Sequence, residues 1–152
     1  MTIRIRDRGF AKVVKSLLGA GETTIAVGIH GDEGGEAHEG DEETTVGEVA
    51  EANEFGLGRP QRSFVRGYAD EKEQEINDEV RNLAQGVAKG KINRQQFVDQ
   101  FGSYLVGGMQ ERISAGIPPD NADSTIKRKG SSTPLIDTGQ LRSSIRYKEK
   151  GK

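Results

Sequence analysis

The chain has 152 residues, 22 basic and 24 acidic side chains, a net charge of −2, and only 32% hydrophobic residues. That length suits one domain with a lean core, and the near-neutral balance gives no global case for a nucleic-acid-binding protein. The lack of cysteine excludes disulfides, thiolate metal sites and a cysteine nucleophile; no apolar run nears membrane-spanning length and the first residues lack a signal peptide's apolar stretch, so a soluble protein made in a cytoplasm is expected.

Taken in order, Thr2 to Arg6 alternates apolar and basic residues, as a short strand would. Asp7 can cap a helix carrying Phe10, Val13, Val14, Leu17 and Leu18, which Gly19-Ala20-Gly21 ends. Thr23 to His30 is the clearest strand, with Ile25, Val27 and Ile29 on one face and the small Ala26 and Gly28 on the other. Gly31 to Thr44 is glycine-rich, acidic and aperiodic, and reads as a mobile loop. Thr45 and Glu48 then have the spacing of a capping box, opening a helix with Val46, Val49, Ala50 and Asn53 that Gly56 stops.

Arg62 to Gly67 leads into a long helix whose Ile76, Val80, Leu83 and Val87 share one face; Gly90 breaks it. Asn93 and Gln96 repeat the capping box, with Ile92 and Phe97 spaced as a hydrophobic staple. The next helix carries Phe97, Phe101, Tyr104, Leu105 and Ile113 before Gly116-Ile117-Pro118-Pro119. Gly102, Gly107 and Gly108 each weaken it by roughly 1 kcal/mol relative to Ala, which predicts close approach of another backbone. Residues 117–133 read as an irregular connection. At the end, Asp137 and Gln140 are spaced as a capping box, and Ile136 and Leu141 as a staple. From Ser144 the period changes to two, so a short helix runs into a strand and makes a fixed corner. The expected fold is one α+β domain: two long helices plus shorter ones on a small, mainly antiparallel sheet. That sheet would include Thr23–His30 and Ser144–Lys148.

Charge is unevenly spread. All charged residues from Asp32 to Glu54 are acidic, including Glu33, Glu36, Glu39, Asp41, Glu42 and Glu43. The C-terminal part leans basic through Lys127, Arg128, Lys129, Arg142, Arg146 and Lys148. Such a split suits either two solvated surfaces or a head-to-tail contact between copies. Arg59, Arg62 and Arg66 flank Phe64, a combination that serves equally as an interface anchor or as a helix entry with one buried ring.

Enzymatic constellations are not found. His30 and His38 with nearby carboxylates match no compact zinc or calcium pattern. Gly86 to Lys91 mimics a phosphate loop, but Ile92 stands where Ser or Thr should be, and it follows a helix. Ser131, Ser132, Ser143 and Ser144 lie in no nucleophile elbow. No catalytic, cofactor or metal residues are assigned. Lys127, Arg128, Lys129 and Arg146 could hold phosphates without reading sequence, which keeps a DNA-binding module open as an alternative.

Three stretches together resemble a family. They are Asn53-Glu54-Phe55-Gly56 followed by Arg59-Pro60-Gln61-Arg62-Ser63-Phe64-Val65-Arg66; Ser124-Thr125-Ile126-Lys127-Arg128-Lys129-Gly130; and Pro134 to Tyr147, PLIDTGQLRSSIRY. In this order they resemble the tail-completion, or neck, proteins of long-tailed bacteriophages, including the Mu-like virion morphogenesis group. Leu57-Gly58-Arg59-Pro60 replaces the usual isoleucine-proline, and Ser63 stands where a proline is usual. The resemblance implies a non-enzymatic virion protein in a ring, commonly six-fold, between the head connector (or head-completion protein) and the tail terminator or tail tube. DNA would pass through its lumen without sequence-specific binding, and no membrane is involved. Arg59, Arg62, Phe64, Arg66, Lys127, Arg128, Arg142 and Arg146 are then candidate contacts between proteins. Asp32, Glu33, Glu36, Glu39, Asp41, Glu42 and Glu43 are candidate lumen acids. A minor tail or tail-terminator component is the nearest alternative.

Overall fold

The computed structural model describes residues 23–39, 41–123, 126–127, 135 and 139–150. The expected elements at the N-terminus, Ile136 and Asp137, and most of the Ser124–Gly130 and Pro134–Tyr147 motifs before Gly139 lie outside these residues. The fold is α+β, as expected. Strand β1 (Thr24–Gly28) pairs antiparallel with β4 (Arg146–Lys150), with Val27 opposite Tyr147 and Gly28 opposite Arg146. The two strands expected to share a sheet are therefore partners, across nearly the whole described chain.

The acidic segment is not an irregular loop. One helical turn, α1 (Gly31–Gly34), is followed by a second antiparallel pair, β2 (Ala37–His38) and β3 (Asp41–Thr45). A register irregularity between Ala37 and His38 interrupts the alternation by which a strand would be read. The two β-pairs are separate two-stranded sheets rather than one.

Helix α2 (Val46–Phe55) starts with the expected capping box: Thr45 Oγ1 accepts from Glu48 N at 3.3 Å, and Glu48 Oε2 accepts from Thr45 N at 2.8 Å. It ends at Gly56, whose φ of 74° is the left-handed conformation a C-terminal glycine supplies. The long helix expected after Gly67 is two helices, α3 (Arg66–Glu71) and α4 (Glu73–Ala88), which meet at Lys72. On α4, Ile76, Val80, Leu83 and Ala84 are buried. Helix α5 (Arg94–Ala115) carries the second capping box, between Asn93 and Gln96, and buries Phe97, Val98, Phe101, Leu105, Met109 and Ile113. It packs against α4 on one side and the β1–β4 pair on another, so it is the centre of the core.

The glycines of α5 admit aromatic rings rather than another backbone. A Cβ at Gly102 would run into the Tyr147 ring, and one at Gly108 into the Tyr68 ring. Gly107 faces open space. Close backbone approach occurs elsewhere: a Cβ at Gly47 would lie 2.9 Å from Gly34 O, so the glycine lets α1 sit directly on α2. Before β4 comes the four-residue helix α6 (Gln140–Ser143); its N-cap is Gly139 at φ 85° with no side-chain cap, so Gln140 is the first helical residue and the capping box expected between Asp137 and Gln140 does not open this helix.

Candidate functional site

The most heavily bonded side chain in the first family-like stretch is Glu54. It sits in the last turn of α2, where an acid is unfavourable to the helix dipole. Its compensation comes from the chain that follows. Gly56 and Gly58, both at positive φ, turn the backbone round. The carboxylate then meets the start of α3 and accepts from Phe64 N (2.9 Å), Val65 N (3.0 Å), Arg66 N (3.0 Å), Ser63 Oγ (2.7 Å) and Arg66 Nε (3.1 Å). Among them, Val65 N and Arg66 N are backbone donors that a helix N-terminus leaves unpaired. Burial pushes the Glu54 carboxyl up, but the bonds from Arg66, Ser63 and Val65 outweigh it and hold it below the ordinary value.

The neighbouring motif residues complete a clamp. Arg66 Nη2 and Gln61 Nε2 both donate to Glu54 O, at 2.9 and 3.0 Å. Arg62 N donates to Asn53 O at 2.8 Å, and Asn53 Nδ2 donates to Val49 O at 2.7 Å. The Arg62 guanidinium donates through Nε to Pro119 O (2.9 Å) and through Nη2 to Asp120 O (3.2 Å), tying the clamp to the chain beyond α5. Burial and the adjacent Arg59 charge lower its pKa. Arg112 of α5 donates to Ser63 O at 3.1 Å and pairs with Glu71.

Beside the clamp lies an open groove of about 770 Å³. Val27, Gly28, Ile29 and the α1 turn line one part of it; Thr45, Gly47, Glu48, Ala50 and Glu51 line another. Phe55, Phe64, Val65 and Arg66 line it as well. Phe55 is 52% exposed, with the Arg66 guanidinium 4.4 Å above its ring centroid. Leu57 is 55% exposed, and Arg59 and Pro60 beyond it are exposed too. Phe55 and Leu57 are the exposed large hydrophobic residues among those described. Comparison with protein families, with curated proteins and with solved structures finds no match for this chain.

The candidate contact residues divide sharply. Arg62 (8% exposed) and Phe64 (2%) lie in the interior of the copy, where they build the clamp, and Phe64 also lines the groove. Arg59 and Arg66 reach the surface. Lys127 is exposed, and Arg128 lies outside the described residues. Arg142 Nη1 donates to Ser114 Oγ at 2.9 Å, and Arg146 folds back on Ser143 O and Ile145 O.

The acidic and basic segments also meet within one copy. Lys148 Nζ lies 2.6 Å from both Asp32 carboxylate oxygens and 3.8 Å from Glu33 Oε2. Its hydrogen bond to Asp32 lowers that carboxyl's pKa. Glu36 and Glu39 are exposed. Glu43 is exposed as well, while the side chains of Asp41 and Glu42 lie outside the described set. His30 Nε2 is 3.2 Å from Arg146 O, and no group of three metal-ligating side chains occurs among the described residues.

In the C-terminal corner, Leu141 is buried. Gln140 reaches across the fold: its Oε1 accepts from Glu39 N at 2.9 Å and its Nε2 donates to Ala37 O at 3.0 Å. The corner therefore pins the β2–β3 hairpin. The signal for Glu54 was present in the sequence: an acid in the last turn of a helix, just before a left-handed glycine, needs a nearby donor set.

Proposed function

We propose that the chain is a non-enzymatic structural protein of a phage particle, a tail-completion protein whose copies close into a ring, commonly six-fold, at the head–tail junction. The observation that carries this reading is the ordered set of three family-like stretches. The internal organisation of the first supports it. Asn53, Glu54, Arg62, Ser63 and Arg66 make one hydrogen-bonded unit, which accounts for their occurring together and gives them scaffolding work. Departures from the usual pattern fit the same unit. Ser63, in place of proline, donates to Glu54 and accepts from Gly67 N at 2.8 Å.

In such a ring one patch meets a different patch on the next copy. The partners above and below are a head connector or head-completion protein and a tail terminator or tail tube. Acids along the lumen, with Glu36, Glu39 and Glu43 among the exposed candidates, would repel DNA phosphates and keep the genome sliding. The test is cryo-electron microscopy of tailed particles containing this chain. Density for a ring of this fold at the head–tail junction is expected. Density along the tail or at its tip would replace the reading with a tail component, and absence from particles would end it.

A further inference from the structure

We propose that the turn Gly56–Pro60 of one copy docks into the groove beside α2 of the next, with Leu57 in the apolar part and Arg59 against the acids of α2. The inference deepens the ring reading and rests on it in taking a second copy as the partner. Leu57 is a large apolar side chain left 55% exposed on a turn whose shape is set by two positive-φ glycines, Gly56 and Gly58. The turn is held at its two ends by Leu57 N donating to Ala52 O at 2.9 Å and Arg62 N donating to Asn53 O at 2.8 Å, which limits the freedom it loses on docking. The groove supplies what Leu57 lacks, with Val27, Ile29 and Ala50 among its lining. Glu51, also on the groove, is exposed, whereas the turn carries Arg59 two residues beyond Leu57. Turn and groove are thus complementary in both polarity and charge, and both are present on every copy. Because they are different patches, the contact is heterologous and can propagate from copy to copy until a ring closes. Phe55, with Arg66 above it, stands at the junction of the two patches and is poised to be covered when the next turn arrives.

The absence of cysteine makes the test clean. In the full chain, Leu57→Cys is combined with Gly31→Cys, a groove position where a Cβ meets nothing within 4 Å. Oxidation of the double variant should give a ladder of disulfide-linked species. A mixture of the two single variants should stop at the mixed dimer. Dimers of the Leu57→Cys variant alone would overturn the proposal in favour of a turn-to-turn contact, and no linked species at all would also overturn it. Charge supplies a second readout. Arg59→Glu or Glu51→Arg alone should weaken cross-linking about tenfold, and the two together in one chain should restore it; no rescue would count against the pairing. Particle imaging separates this proposal from the ring reading. A junction ring that forms unchanged with Leu57→Asp sinks the docking mode and leaves the reading standing, whereas no junction density with the unaltered chain sinks the reading itself.

Discussion

Glu54 shows how one residue can join two elements. A buried carboxylate with five donors is stable only because every donor is in place, and charge-assisted bonds of this kind are among the stronger ones in proteins. Glu54→Gln puts an amide N–H₂ where two of the backbone donors point, so it should destabilise the fold by about 2–4 kcal/mol. The pH dependence has a definite sign. The folded carboxyl is held below its ordinary value, so its contribution is fully present above the unfolded pKa of about 4.3 and is lost as pH falls through the lower folded value. Urea midpoints measured from pH 7 downward should therefore converge for the natural chain and Glu54→Gln across the acid window below the unfolded value. A gap that stays constant across that window would contradict the charged clamp. None of this is visible in a hydropathy pattern, because Glu54 reads there as one more acid in an acidic segment. Only its place against the helix dipole marks it.

At the scale of elements, legibility follows the range of the interaction. The capping boxes at Thr45 and Asn93 close within three residues, so the local sequence specifies them completely. Asn93→Ala should cost about 1 kcal/mol of stability in chemical denaturation, and no loss would mean the box contributes nothing in this context. The division of the expected long helix at Lys72 had no proline or glycine to announce it. The hairpin at Ala37–Thr45 was hidden by its short strands and shifted register, and it is held by a glutamine about a hundred residues away. The glycines of α5 were legible as a need for space, but not as to what fills it. Gly107→Ala, facing open space, should stabilise the chain by up to about 1 kcal/mol through helix propensity. Gly108→Ala should destabilise it by about 1–3 kcal/mol, since the Tyr68 ring it meets is buried. Equal effects of the two substitutions would show that the Tyr68 contact is not what requires the glycine.

For the whole molecule, the distribution of charge changes meaning once the chain is folded. Read along the sequence, the acidic and basic ends invite a contact between copies. Folded, β4 brings Lys148 onto α1, so Asp32 and Glu33 are already compensated within the copy. Glu36 and Glu39, beside the hairpin turn, are among the exposed acids that the proposed lumen could use. A carboxylate acts on a phosphate only within about a Debye length, some 8 Å at physiological ionic strength, so the effect depends on these residues lining the path. In particles built with Glu36→Ser and Glu39→Ser together, DNA ejection should be slower than normal, and the difference should shrink as salt is raised. Ejection that is unchanged at low salt would remove these acids from the lumen of the proposed ring, and in that ring the hairpin would then have to face a neighbouring copy or another component.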